Sequence, residues 1–185
     1  MKKRILLLLS ACLLPVTAQE PAAPAPAPAP AAATADTPVG RAVQTVRFLT
    51  ETKANPHAEY YIYLQSAGWC GPCNQAMPAT VEQYKAMKES GKVELIFASA
   101  DRTPEEAVAF MKKYGADFPC IMSYQEKNRE FVASDEAAKL PGYVFSKRVP
   151  RAMLVDAQGK VLVPLGSAPA VLARWQEFAA QPESK

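Results

Sequence analysis

The stretch Trp69-Cys70-Gly71-Pro72-Cys73 places two thiols three residues apart, and few chemistries use such a pair. It can close a small disulfide ring, supply half of a four-ligand zinc site, or cycle between dithiol and disulfide. Zinc needs a second pair of Cys or His, and the other cysteines, Cys12 and Cys120, and the single histidine, His57, lie far away without that spacing. A purely structural disulfide remains as the bland reading. What precedes and follows the pair favours redox chemistry. Tyr60 to Gly68 is an apolar, aromatic-rich run ending in small residues, and Cys73 to Glu89 has helical periodicity. A buried strand would therefore end in a dithiol at the first turn of a helix. There the free N–H groups and the macrodipole stabilise the thiolate of Cys70. Pro72 suits a first turn, where a missing N–H costs little, and Trp69 can cover the sulfurs while leaving one edge open to solvent.

The pentapeptide resembles the active-site stretch of the thioredoxin superfamily, and further features follow the same pattern. Pro78 stands five residues after Cys73 inside the helix, where such proteins carry a proline that bends it. The resemblance covers roughly residues 56–181. It implies a cis-proline ahead of the penultimate strand, packed against the dithiol, and Val149-Pro150 occupies that place. Val149 would then offer its backbone to a substrate segment in strand-like pairing. Three departures stand out. Leu64 replaces the buried Asp of cytoplasmic thioredoxins, and Ala76 replaces the Glu of exported cytochrome c maturation reductases, although Met77-Pro78 is kept. The proton acceptor for Cys73 is thus unassigned. Arg151 follows the proline where Thr or Ala is common, and with Arg148 it could make the groove cationic; two solvated arginines are the alternative.

The 185 residues suffice for one medium domain and its core. The net charge of +3 equals the contribution of Lys2, Lys3 and Arg4, and 18 basic residues then face 18 acidic ones. A neutral domain gives no electrostatic reason to expect nucleic acid or a membrane surface as partner. Residues 1–18 read as a secretory signal: a basic start, the apolar run Ile5 to Leu14, and small residues before Gln19. A rival reading takes Leu9-Ser10-Ala11-Cys12 as a lipoprotein box with a lipid anchor on Cys12. Either way the expected location is periplasm or cell envelope, with soluble export favoured. Residues 19–38 alternate Ala and Pro, a composition from which an extended spacer is expected. Residues 39–181 are the expected domain, and 182–185 a polar tail.

Within the domain, helices are expected from Val39 to about Lys53, from Cys73 to Glu89, from Pro104 to Gly115 behind the cap Thr103, and from about Ala168 onward. His57 falls in a loop. Strands are expected at 60–68, 92–99, 118–122, 151–155 and 160–163, the last two joined by a turn at Asp156-Ala157-Gln158-Gly159. Residues 123–146 give no clear pattern beyond a short helix near 135–140. Cys120, in an apolar run, reads as a small buried hydrophobe. This order implies an α/β fold with a central mixed sheet and helices on both faces, the thioredoxin-like architecture.

The expected activity is thiol–disulfide exchange at Cys70 and Cys73, supported by Trp69, Gly71, Pro72, Val149 and Pro150, with no cofactor and no metal. Gly-Pro between the cysteines matches the reducing members of the superfamily. Its partners would be protein disulfides and a membrane protein that donates electrons. A disulfide oxidase or isomerase, or a non-catalytic binding module on the same fold, are the alternatives.

Overall fold

The computed structural model describes residues 36–180. Its centre is strand β1 (Tyr60–Ser66), in which all seven residues are buried. A strand buried on both faces needs a layer on each side and a neighbour at each edge. On one edge β1 pairs in parallel with β2 (Val93–Ser99), also buried throughout, and β2 pairs in parallel with the short β3 (Cys120–Met122). On the other edge β1 runs antiparallel to β6 (Arg151–Asp156), which pairs antiparallel with β7 (Val161–Ser167). The order β3-β2-β1-β6-β7 is the expected mixed sheet. Gly159, at φ +82°, makes the turn between the last two strands in a conformation other residues rarely adopt.

Two helical layers close the core. Tyr60, Ile62 and Leu64 face a cluster built with Met77, Tyr84 and Met87 of α2 (Gly71–Ser90), Phe110 and Met111 of α3 (Pro104–Lys113), and Val171, Leu172 and Trp175 of α5 (Ala168–Leu172) and α6 (Trp175–Ala179). The intervening Tyr61 and Tyr63 face the other side, against Val39 and Val43 of α1 (Pro38–Thr45) and Ala137 of α4 (Asp135–Ala138). Alternate β1 residues thus serve opposite layers, as the pleat requires.

Four expectations need correction. Helix α1 ends at Thr45, not near Lys53; the chain beyond turns to bond β3, with the Leu49 N–H donating to Cys120 O and Thr50 Oγ1 to Phe118 O. The terminal helix is two short helices with Ala173-Arg174 between them. Strand β7 runs to Ser167 through Pro164, which an edge strand tolerates because one row of its N–H groups pairs with nothing. The unread stretch contains a hairpin, β4 (Tyr124–Lys127) and β5 (Glu130–Ala133), forming its own two-stranded sheet. The signal, the lipid-anchor site Cys12 and most of the spacer lie outside the described residues. Among those described, no helix is long and apolar enough to cross a membrane.

Candidate active site

The dithiol is positioned by the junction of β1 and α2. The Ser66 carbonyl accepts from the Ala100 N–H, so β1 and β2 stay together to their ends, and the chain then turns through Ala67-Gly68-Trp69. Cys70 is the N-cap of α2, which begins at Gly71, two residues earlier than the periodic stretch from Cys73 suggests. Its backbone is extended (φ −90°, ψ 115°), and its Sγ accepts from the Cys73 N–H at 3.2 Å. Sulfur therefore takes the place of a capping oxygen on an otherwise unpaired helix-start donor. Pro72 sits in the first turn, where it forgoes no internal hydrogen bond. Cys70 and Cys73, with Cα atoms 5.1 Å apart, are joined as a disulfide. Cys70 is 6% exposed and Cys73 1%, so the first residue is the less covered of the two.

The opposing wall is the segment before β6. Val149-Pro150 is cis, and Val149 O lies 3.7 Å from Cys70 Sγ. Pro150 has no N–H to present to the sulfurs. Arg148 is exposed, whereas Arg151 is half-buried and donates to Leu165 O at 3.4 Å. Both line a groove with Pro72, Gln75 and Val149.

Three positioning residues were not visible in the sequence. Gln65, fully buried on β1, donates from Nε2 to Val144 O at 2.7 Å and accepts from the Ser146 N–H at 2.7 Å. It ties the segment leading to Val149 onto the strand leading to Cys70. Asn74 donates from Nδ2 to Gly68 O (2.7 Å) and Cys70 O (2.8 Å), while its Oδ1 accepts from Lys113 Nζ (2.9 Å) and Tyr114 Oη (2.8 Å). It therefore clamps the dithiol loop to α3. Asp101, 2% exposed, accepts from the Gly68 N–H and from Ser99 Oγ, each at 2.8 Å. A polar side chain inside a strand or just past a helix cap carries no sequence mark of such a role.

Trp69 is 63% exposed, with its indole N–H donating to Ala100 O at 2.9 Å. The ring is thus anchored at the end of β2, and it lines grooves on either side. Gly71 is exposed, with open space where a Cβ would stand. The second buried acid, Glu94, lies at the start of β2. Its carboxylate accepts from the Asn55 and Leu95 N–H groups, and burial raises its pKa. Cys120 is fully buried on β3; burial, then the charge of Asp101, push its thiol up to about 12. Among the described residues no group of three or more His, Cys, Asp or Glu gathers to hold a metal ion.

Known proteins place this geometry. The chain is 35% identical over 94 residues to the thiol-disulfide oxidoreductase ResA of Bacillus thuringiensis (strain Al Hakam), covering 51% of this chain and 47% of that one. Human nucleoredoxin is 31% identical over 103 residues, covering 55% of this chain and 21% of the relative. The chain thus spans about half or less of the length of the curated relatives it matches. Among solved structures, a thiol:disulfide interchange protein from Bacteroides sp. superposes with a TM-score of 0.51 at 16% identity, over 69% of this chain and 77% of that one. That likeness speaks for the thioredoxin-like fold alone. The Redoxin family profile matches residues 33–163, from ahead of α1 into β7 and so across the dithiol and the wall that faces it; the chain belongs to the Redoxin family.

Proposed function

We propose that this chain is an exported thiol–disulfide oxidoreductase that reduces protein disulfides through Cys70 and Cys73. The observation that carries the reading is the placement of Cys70 Sγ: it caps a helix start, accepts the Cys73 N–H and faces Val149 O across an open border. Reduced, that position favours thiolate over thiol. The thiolate attacks one sulfur of a substrate disulfide, forming a mixed disulfide and releasing the other sulfur as thiolate. Cys73, shielded behind Cys70, then attacks Cys70 Sγ and frees the second substrate sulfur. Two electrons have passed to the substrate, and the Cys70–Cys73 disulfide remains for an outside dithiol to reduce. Val149 pairs with the substrate backbone during exchange, Pro150 keeps an N–H away from the sulfurs, and Arg148 and Arg151 favour acidic segments.

The reductive direction rests on the Gly71-Pro72 spacer, and export on residues 1–18. A reductase outside the cytoplasm needs a donor, and a membrane protein passing electrons inward to outward meets that need. The relatives named as thiol-disulfide oxidoreductases support the reaction class. Residues 39–181 are proposed as the working domain.

Cys73→Ser tests the mechanism. It removes the resolving thiol and leaves the cap at Cys70, so reducible higher-mass adducts accumulate in cell envelopes and Cys70→Ser forms almost none. Absence of adducts in both variants would favour an inert binding module. The reduction potential then settles direction: a value near the roughly −270 mV of thioredoxin supports a reductase, and one near roughly −120 mV an oxidase.

A further inference from the structure

On the side of Val149 away from the arginines lies a second groove of about 530 Å³, and its walls are aromatic. Trp69, Tyr124, Phe131 and Phe145 all line it. The last three rings pack on one another, Tyr124 edge-on to Phe131 at 5.1 Å and tilted against Phe145 at 5.9 Å. The wall is therefore preformed. Yet Phe131 remains 50% exposed, and Trp69 is exposed too, so large apolar side chains at this groove are left uncovered. Exposed aromatic surface gathered at one groove marks a place where another apolar group docks.

The hairpin β4–β5 that supplies this wall is not part of the five-stranded sheet. It turns through Asn128 and Arg129, both at positive φ, and so holds Phe131 back over Tyr124. The groove continues into the dithiol border, because Val149 lines both it and the arginine groove. Cys70 Sγ lies 3.7 Å from Val149 O, so a polypeptide paired along Val149 with its cysteine at Cys70 borders this groove as well. The lining also carries Arg102 and Lys147 and no acid.

We propose that the β4–β5 hairpin is a specificity element, taking an aromatic side chain that flanks the reacting cysteine of an acidic substrate polypeptide. This rests on the reading of the substrate as a protein disulfide. A binding arm and a turnover arm keep the two apart. Peptides with serine in place of the cysteine, one flanking Phe and one Glu, are titrated while Trp69 emission is followed, with Phe→Ala and Glu→Lys peptides alongside. The Phe peptide binds about tenfold more tightly than the Ala peptide, as burial of one ring allows. The preference falls towards one in Phe131→Ala and returns in Phe131→Trp. The Lys peptide binds more weakly, and added salt narrows that gap. Equal affinity for Phe and Ala peptides, or a preference unchanged in Phe131→Ala, overturns the aromatic site; equal affinity for Glu and Lys peptides overturns the acidic preference. Cysteine-containing disulfide peptides then give kcat/KM in the wild-type protein, where the same tenfold order is expected. Tighter binding of the Phe peptide without turnover sinks the oxidoreductase reading and leaves the groove standing.

Discussion

Cys70 and Cys120 belong to the same buried cluster, yet their surroundings prepare them for opposite fates. Cys70 follows a strand and caps a helix, so its sulfur meets an N–H donor, and the residue keeps 6% of its surface exposed where Cys120 keeps none. Cys120 lies within the parallel ladder beside Phe97, with its thiol 3.9 Å from Ile121 O. Removal from water penalises its thiolate, and the carboxylate of Asp101 adds to that penalty. Burial alone therefore does not decide reactivity. What decides it is whether the backbone around the sulfur offers donors to a negative charge.

Asp101 connects the two environments, since it holds Gly68 ahead of Cys70 and also disfavours a charge on Cys120. Asp101→Ala leaves the Gly68 N–H and Ser99 Oγ without their acceptor inside the protein. Hydrogen bonds to charged groups of this kind contribute about 1.5–3 kcal/mol each, so losing both predicts a stability loss of about 3–6 kcal/mol in urea unfolding. Asp101→Asn keeps an oxygen for Gly68 and loses less. Both variants lower the titration midpoint of Cys120 only in part, because burial, the larger cause, stays. A midpoint unchanged in both would remove Asp101 from the comparison.

The smaller effect concerns alkaline stability. An unfolded thiol ionises near about 8.5, whereas the folded Cys120 holds its proton up to about 12. Between these values the unfolded state gives up a proton that the folded state keeps. The contribution of Cys120 is thus fully present below about 8.5 and is lost as pH rises, by up to about 1.4 kcal/mol per pH unit. The buried tyrosines Tyr61, Tyr63 and Tyr84 are shifted upward too, and they add the same slope to wild type and variant alike. In Cys120→Ala, stability falls less steeply between pH 9 and 10, read from unfolding midpoints at constant m. Parallel slopes in the two proteins would mean that Cys120 is not desolvated in the folded state.

The parts of the proposed site were the most legible in the sequence, and there is a physical reason. The pentapeptide, Pro72 and the Val149-Pro150 pair act through backbone form and a fixed spacing, which a string of letters records directly. The β1 run and the Thr103 cap, whose Oγ1 accepts from the Glu106 N–H, are equally local signals. The hairpin was missed because its turn, Asn128-Arg129, has no glycine, and Tyr124-Gln125-Glu126-Lys127 offers little apolar alternation. Gln65, Asn74 and Asp101 were missed because their meaning lies in partners from other segments, such as Val144, Lys113 and Gly68. Leu64 and Ala76 mark where relatives keep acids; the buried acids here, Glu94 and Asp101, stand on and after β2, at positions no motif marks.

The central claim is that the helix start, not burial, makes Cys70 the reactive thiol. Alkylation of the reduced protein over a pH series, with each cysteine mapped by mass, tests it most directly. At pH 7 a thiol at about 12 is ionised on the order of a thousandfold less than one near 8.5, so Cys120 should stay unmodified until denaturant is added. Cys70 should label first, with a midpoint below the free-thiol value of about 8.5, and Cys73 well after it. Equal labelling of Cys70 and Cys73, or Cys120 reacting as fast as Cys70 in the folded protein, would contradict the account.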